Sequence, residues 1–343
     1  MVRSVKEVLV LRIDHLGDLV LTTPLIRALA TAGHRVTVVA RRSALPVLDN
    51  NPHITGMFAL EDIAPGFPTR WRNLSIWLRR QKLNVILLPH AKPGILCLAV
   101  RVGFFGRVIT MWGGVAARLM GMRALRSGLP LNPRHISDIW LDMGRSLGVE
   151  PAGLEPEIFL TEGEKTQLKC AATERGIQDY VVIHPGCAGN TCNLPPKVYI
   201  ELAQKILSQT GLGVVITGSG TESKSLESHF ALLEARPRYW NSMGELDLRS
   251  LCALVAGARA LVCVGTGPLH IASALKTPTV SPFCNRIGVS SEVWGNKGGA
   301  ATVLTPPLLL CAGQVAGVHC DFQGAITSEA LLKKLLPILA NQL

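Results

Sequence analysis

Two segments far apart in the chain combine glycines with residue types that can do chemistry. The first runs from Arg12 to Pro24 and carries Asp18 directly after Gly17. An aspartate at a helix start has two interpretations: it caps the helix, or it is a general base that accepts a proton from a hydroxyl group. His15 is close enough along the chain to influence that carboxylate or to contact a substrate. The segment therefore predicts a helix start that presents an ionisable group.

The second segment, residues 262–272, reads as a buried strand that ends in a glycine-flanked turn and opens a helix. Gly265 and Gly267 allow the backbone to approach a ligand closely, and Pro268 suits the first helical position. A helix start offers amide donors and a partial positive charge, and both favour a phosphate. His270 is either a phosphate contact or a packed side chain. The predicted phosphate cradle consists of Thr266, Gly267, Pro268, Leu269 and His270.

Two further loops follow strand-like segments in the second half of the chain. The loop 184–191 begins with His-Pro-Gly and ends at Thr191, whose hydroxyl can donate to an anion. The loop 218–222 ends at Glu222, a carboxylate placed to accept hydrogen bonds from a ribose. No GxGxxG motif follows the first strand, which argues against a nicotinamide-dependent dehydrogenase.

The elements that position these loops alternate between strand and helix patterns. Such alternation predicts parallel βαβ units, and a Pro/Gly/Glu-rich stretch at 150–156 reads as a linker. We expect an α/β protein of two Rossmann-like, doubly wound domains that face a cleft, with ligands beyond the carboxyl ends of the strands. The predicted parts are domain 1–155, domain 156–325 and a closing helix 326–343. Predicted strands are 8–13, 36–40, 85–88, 180–183, 214–217, 260–264 and 279–283. Predicted helices are 199–207, 248–256, 328–343 and one with Leu21, Leu25, Ile26 and Leu29 on one face.

Charge is distributed unevenly along the chain. The net charge is +11, and residues 1–150 hold 20 Lys/Arg against 9 Asp/Glu, whereas residues 151–343 hold 15 of each. Clustered basic residues, including Arg70 and Arg72, leave acidic lipid, a phosphorylated glycan or nucleic acid as partners. Nucleic acid is the least favoured, because no recognition motif accompanies the charge. The apolar stretches lack both a transmembrane span and a signal peptide, and the cysteines lack CxxC spacing, which predicts a cytoplasmic location.

The motifs, in this order, resemble glycosyltransferase family 9, the lipopolysaccharide heptosyltransferases. Arg12 and Leu-Gly-Asp at 16–18, followed by Pro24, match the first signature. Thr-Gly-x-x-His-x-x-x-Ala at 266–274 matches the last one. Between them lie Asn-Pro at 51–52, His-Pro-Gly at 184–186, Gly-x-Gly-x-Glu at 218–222, and Gly244.

The resemblance implies a GT-B fold with an acceptor-binding first domain and a nucleotide-sugar-binding second domain. It implies inverting transfer of heptose from ADP-heptose to an anionic lipopolysaccharide core, without a metal or cofactor, on the cytoplasmic face of the inner membrane. Asp18 falls on the position of the proposed base, and Glu222 falls on that of the ribose-side carboxylate. The phosphate contacts fall on Thr191, Thr266, Gly267 and His270. We assign the acceptor side to Gly17, His15, Arg70 and Arg72.

Two positions depart from the family pattern. Gly265 stands where the family has an aspartate, and Cys192 stands where it has a lysine, for which Lys197 is the nearest substitute. These losses leave two alternatives open besides an active transferase. One is a degenerate relative that binds nucleotide sugar or glycolipid without turnover. The other is a sugar-nucleotide epimerase, which would work without an acceptor.

Overall fold

The computed structural model describes residues 5–66, 69–89, 94–111, 114–125, 134–187, 189, 191–286, 288–307 and 322–340. Asn190 and Arg126, which belong to the predicted anion loop and basic cluster, lie outside these residues. The chain forms two compact units, Met1–Phe159 and Leu160–Leu343. Their boundary therefore falls shortly after the predicted linker. No helix in the described ranges is long and apolar enough to cross a membrane.

The first unit is built on a parallel six-stranded sheet of order β3-β2-β1-β4-β5-β6. Val8 on the central strand pairs with Val36 on one side and Val85 on the other, and all three are buried. Burial on both faces explains why the central strands read as continuous apolar runs rather than as alternating ones. The strands are β1 Glu7–Arg12, β2 Arg35–Ala40, β3 Gly56–Ala59, β4 Val85–Leu88, β5 Arg107–Thr110 and β6 Arg123–Ala124.

The helix predicted after β1 is interrupted at Thr22. It consists of one helix that ends at Leu21 and a second that begins at Thr23, because Pro24 has no amide to continue the first and suits the start of the second. The apolar positions that predicted this helix are buried in both parts. The helices are α1 Leu16–Leu21, α2 Thr23–Thr31, α3 Leu60–Ile63, α4 Arg70–Arg79, α5 Ile95–Gly103, α6 Gly114–Leu119 and α7 Ile136–Arg145.

The second unit repeats the architecture, with strand order β12-β11-β10-β7-β8-β9, again all parallel. Its strands are β7 Tyr180–His184, β8 Gly213–Ile216, β9 Tyr239–Asn241, β10 Ala260–Cys263, β11 Thr279–Pro282 and β12 Ala301–Leu304. Its helices are α8 Glu162–Thr173, α9 Pro196–Gln209, α10 Gly220–Phe230, α11 Leu248–Gly257, α12 Gly267–Leu275, α13 Ser291–Trp294 and α14 Ser328–Ala340.

Strand order fixes where a ligand can bind in each unit. Numbered within its own unit, each sheet has the order 3-2-1-4-5-6 of a Rossmann fold, so the α/β, doubly wound prediction is confirmed. The order reverses between β1 and β4 in the first unit and between β7 and β10 in the second. Crevices at such switch points lie beyond the carboxyl ends of the strands. Asp18 follows β1, and the predicted phosphate turn follows β10, so both segments begin at a switch point.

Candidate active site

Asp18 faces a buried arginine rather than capping its helix. The N-cap of α1 is His15, and Asp18 lies in the first turn. The Asp18 carboxylate lies 2.7 Å from the guanidinium of Arg12, and Asp14 lies 3.3 Å from the same group. The Asp18 side chain keeps 13% of its surface exposed, so it remains accessible to a small hydroxyl group. Asp18 is therefore not the N-cap residue of α1, and its role as a general base stays a prediction.

Arg12 positions this acidic pair, and sequence analysis identified Arg12 only as part of the first signature. It ends β1 with a fully buried side chain, and its guanidinium lies 4.0 Å from the ring of Trp140 on α7. Burial lowers the pKa of Arg12, and the carboxylates of Asp18 and Asp14 oppose that shift. An arginine in such a site stays charged and is stabilised by paired carboxylates and a ring face. The sequence does carry one sign of this role, because a charged arginine directly follows the apolar run of β1.

The predicted acceptor-side residues lie on two different elements. His15 is exposed at the start of α1, and Gly17 is buried within it. Arg70 begins α4 and is half-buried, whereas Arg72 is exposed on the same helix. Among the described residues, no hydrogen bond or ion pair joins either arginine to Asp18. The structure thus groups Asp18 with Arg12 and Asp14, and not with the α4 arginines.

The turn after β10 joins a buried strand to a helix, as the sequence predicted. Thr266 is the N-cap of α12, and its amide donates to the carbonyl of Val264 at 2.7 Å. Thr266 and Gly267 are half-buried, so a ligand can reach them. The helix that starts here has nine residues, and its N-terminal dipole end therefore lies at the switch point of the sheet.

The remaining cradle residues are turned into the protein. Pro268 and Leu269 are buried, and the Leu269 amide donates to the Thr266 carbonyl at 3.0 Å inside the turn. His270 is 4% exposed, and its ring centroid lies 6.3 Å from that of Trp294. Thr266 and Gly267 are therefore more exposed than the other three residues of the predicted cradle, and phosphate binding by these five residues stays a prediction.

The hydrogen bonds of one asparagine hold the loop after β7 in place. Asn193 donates to the carbonyl of Pro185 at 2.9 Å and accepts from the Tyr199 hydroxyl at 2.9 Å. Its carbonyl oxygen also accepts the amide of Leu194. Thr191 is half-buried in this loop, and its carbonyl accepts a long contact from the Cys187 thiol. Asn193 was not singled out by the sequence, because an asparagine between two apolar positions carries no distinctive signal.

Glu222 is held by its own helix and by the neighbouring loop. It forms a capping box with Ser219: the Ser219 amide donates to the Glu222 carboxylate at 2.7 Å, and the Glu222 amide donates back to the Ser219 hydroxyl. A Cβ atom at Gly186 would fall 2.1 Å from the Glu222 carboxylate, so a side chain there would displace that carboxylate from its present position. Burial lowers the pKa of His184, and the nearby Glu222 charge opposes that shift. The capping role does not exclude the predicted ribose contact.

The two departures have structural counterparts. A Cβ atom at Gly265 would lie 3.0 Å from the Phe283 ring, so an aromatic side chain occupies the space beside the position of the missing acid. The side chain of Lys197 is 84% exposed on α9 and lies 3.9 Å from Glu201. Lys197 therefore points to solvent along its own helix and does not replace the lysine missing at Cys192.

No group of three or more His, Cys, Asp or Glu side chains that could hold a metal ion occurs in the part of the chain that the structure describes.

Known proteins share sequence similarity with this chain. The family model for glycosyltransferase family 9 (heptosyltransferase) matches residues 140–299. Lipopolysaccharide heptosyltransferase 2 of Salmonella typhimurium is 30% identical over 137 residues, which are 38% of this chain and 38% of that protein. Lipopolysaccharide heptosyltransferase 3 of Escherichia coli is 23% identical over 78% of this chain and 79% of its own length.

A solved structure shares the fold over almost the whole chain. The Escherichia coli ADP-heptose lipopolysaccharide heptosyltransferase II superposes with a TM-score of 0.78 at 20% identity, covering 98% of this chain and 99% of that one. The chain therefore has the two Rossmann-like units of the GT-B fold. The chain is therefore similar to glycosyltransferase family 9, the heptosyltransferase family, and the family model matches it over residues 140–299.

Proposed function

We propose that this protein transfers a heptose, or a related sugar, from ADP-heptose or another nucleotide sugar to an anionic acceptor of the lipopolysaccharide-core type. The observation that carries the proposal is the Asp18 carboxylate, held by buried Arg12 at the switch point of the first sheet. The relatives support the substrate class, because their names specify lipopolysaccharide and ADP-heptose. The basic first half of the chain suits a phosphorylated, membrane-borne acceptor at the cytoplasmic face of the inner membrane.

The chemistry is a single displacement that needs no metal. Asp18 accepts the proton of an acceptor hydroxyl, whose oxygen attacks the anomeric carbon of the sugar and inverts it. The bond to the diphosphate breaks, and the leaving nucleotide takes the electron pair. Thr266, Gly267 and the N-terminal end of α12 stabilise the charge that develops on the diphosphate, with Thr191 as a further donor. Glu222 accepts hydrogen bonds from the ribose.

A second candidate follows from the altered donor side. Phe283 packs beside Gly265, and Lys197 faces solvent, so two charged contacts of the family pattern are missing. Each charge-assisted contact contributes about 1.5–3 kcal/mol when it is made. The chain would then be a degenerate member that binds nucleotide sugar or glycolipid without efficient turnover.

Calorimetry with ADP-heptose, followed by product detection on heptose-deficient lipopolysaccharide, separates these functions. Binding together with acceptor-dependent product is the expected result. Binding without product on a suitable acceptor would leave the degenerate member, and conversion of the donor without acceptor would identify an epimerase. Absence of binding to ADP-heptose would require a different nucleotide sugar as donor.

A further inference from the structure

A long stretch of the first unit contains no acidic residue. Between Asp62 and Asp138 the sequence has no aspartate or glutamate at all. Most of the excess positive charge of the chain is therefore concentrated in one part of this unit. No carboxylate within that stretch of sequence neutralises it. The basic residues of this stretch are Arg70, Arg72, Arg79, Arg80, Lys82, Lys92, Arg101, Arg107, Arg118, Arg123, Arg126 and Arg134.

Two helices of this stretch, α4 and α5, are locked side by side. The Ser75 hydroxyl donates to the Ala99 carbonyl at 2.8 Å. A Cβ atom at Gly103 would fall 2.6 Å from the Ser75 carbonyl, so the helices approach each other as closely as a glycine permits. Arg79 adds a hydrogen bond to the Val102 carbonyl at 3.2 Å. The outward sides of the two helices therefore form one preformed surface.

We call this surface the α4–α5 face, and its composition is unusual for a solvent-exposed surface. Leu98 is 55% exposed, Ile95 is 60% exposed, and Phe105, just after α5, is 74% exposed. A groove of about 450 Å³ separates the helices. Contiguous exposed apolar groups of this kind mark an interaction surface. The face consists of Trp71, Arg72, Ile76, Arg79, Ile95, Leu98, Val102 and Phe105.

Arginines accompany the apolar residues on the same face. Arg72 and Arg79 line the groove directly, and the Arg101 guanidinium lies 5.8 Å from the centre of the Phe105 ring. A surface with bulky apolar groups, arginines and no acid matches the interface of an anionic bilayer, where acyl chains meet phosphate headgroups. A second copy on the same face would oppose arginines to arginines, which disfavours self-association.

We propose that the α4–α5 face docks on an anionic lipid bilayer. Leu98, Ile95 and Phe105 enter the boundary between headgroups and acyl chains, and Arg72 and Arg79 bind headgroup phosphates. The proposal deepens the proposed function and rests on it for the membrane-borne acceptor. It assigns the membrane contact to a specific surface of the first unit.

Flotation of the full chain with lipid vesicles tests the docking surface. Wild type should bind vesicles of phosphatidylglycerol and phosphatidylcholine, and bind pure phosphatidylcholine at least tenfold more weakly, since each arginine near an anionic surface contributes about fivefold. The variant Leu98→Asp/Phe105→Asp should lose at least tenfold of the binding. The control Leu232→Asp changes a leucine that is 77% exposed on the second unit and should bind as wild type does. Thermal melting checks that all three proteins are folded.

Three outcomes would overturn the docking surface. One is equal binding by the double variant and wild type, and another is equal binding of neutral and anionic vesicles. The third is that wild type is a dimer, the double variant is a monomer, and neither protein binds vesicles. The α4–α5 face would then be a dimer interface.

Turnover on a de-acylated, water-soluble acceptor separates this proposal from the proposed function. The double variant should retain wild-type turnover on that acceptor, because it has no membrane to reach. If wild type floats with anionic vesicles but transfers no sugar, the proposed function fails and the docking surface stands.

Discussion

At the scale of single residues, the molecule pairs its reactive carboxylate with a buried cation. Arg12 has two carboxylates and an aromatic ring around its guanidinium, so it is anchored from three sides. That anchoring fixes the orientation of Asp18 before any substrate binds. Preorganised charge of this kind costs no rearrangement during the reaction.

Asp18→Asn should abolish proton transfer while it preserves the shape of the site. We expect transfer to fall by about 10²–10⁴-fold, the usual contribution of a general base, with nucleotide affinity nearly unchanged. Single-turnover kinetics and calorimetry measure the two quantities. Asp14→Asn is the matched control, since it also removes a carboxylate beside Arg12. An equal loss in both variants would assign the effect to the charge balance around Arg12 and not to a base.

A small side chain at Gly265 tests the packing of the donor turn. Gly265 lies outside the left-handed region, so its constraint is the Phe283 ring 3.0 Å from a Cβ atom, and Phe283 is itself buried. We expect Gly265→Ala to destabilise the second unit by about 1–3 kcal/mol. Combining it with Phe283→Leu should recover part of that loss. Urea denaturation of both single variants and the double variant gives the coupling, and purely additive effects would contradict the contact.

At the scale of elements, capping boxes define where two helices of the second unit begin. Ser219 and Glu222 cap α10, and Thr161 and Glu164 cap α8. Both boxes use a glutamate that also meets a partner elsewhere: Glu222 contacts the β7 loop at Gly186, and Glu164 binds Arg249 on α11. The residue that caps the start of each helix therefore also contacts a different element of the second unit.

Glu222→Gln separates capping from ribose binding. Glutamine completes a capping box as well as glutamate does, so thermal stability should change little. A ribose contact requires an acceptor for two hydroxyls, and an amide offers only one oxygen, so nucleotide affinity should fall about tenfold, the effect of one lost hydrogen bond. Calorimetry with ADP measures this. Unchanged affinity would leave Glu222 with its capping role alone.

The ion pair between α8 and α11 makes stability depend on pH. The Arg249 hydrogen bond lowers the pKa of Glu164 from 4.5 to about 2. A lowered folded pKa stabilises the fold above the ordinary value and loses that contribution as pH falls toward the folded value. Because the Glu164 side chain is 25% exposed, we expect about 1–2 kcal/mol at neutral pH.

Glu164→Gln should remove this contribution and keep the capping box. Urea denaturation at neutral pH should show the variant less stable than wild type, and the difference should shrink at about pH 3. A difference that stayed constant with pH would contradict the ion pair as its source.

At the scale of the whole molecule, each unit has its own sheet and its own hydrophobic core. The core of the second unit includes Tyr199, Phe230 and Phe322, and a separate cluster around Leu9, Ile86 and Val108 belongs to the first. The proposed base and the proposed donor turn belong to different units. We therefore expect nucleotide binding to leave the stability of the first unit unchanged.

We expect nucleotide to stabilise the second unit selectively. Ligand that binds only the folded form raises stability by RT ln(1 + [L]/Kd), about 2.7 kcal/mol at a hundredfold excess over Kd. Hydrogen exchange with and without ADP should show added protection in residues 160–340 and in the turn at Thr266 above all. Added protection centred on β1 and α1 would show that the nucleotide binds the first unit, and it would contradict this prediction.

Much of the fold and of the candidate site could be predicted from local sequence. Apolar runs mark the central strands, because burial on both faces requires them, and glycines and Pro268 mark the turn after β10. The strands β6 and β9 contain two and three residues, which is too short for any periodicity to show. Their positions depend on pairing with β5 and β8.

Local sequence and composition are sufficient to predict the doubly wound class, the two strand-to-helix turns and the concentration of positive charge in the first half. These properties follow from neighbours in the chain and from composition. Three contacts become visible only in the folded chain: Trp140 lies on Arg12, Glu222 fills the space at Gly186, and Phe283 fills the space at Gly265. It also set α4 against α5 to expose one apolar and basic surface. Such contacts join residues far apart in sequence, and no local pattern encodes which side chains the chain topology brings together.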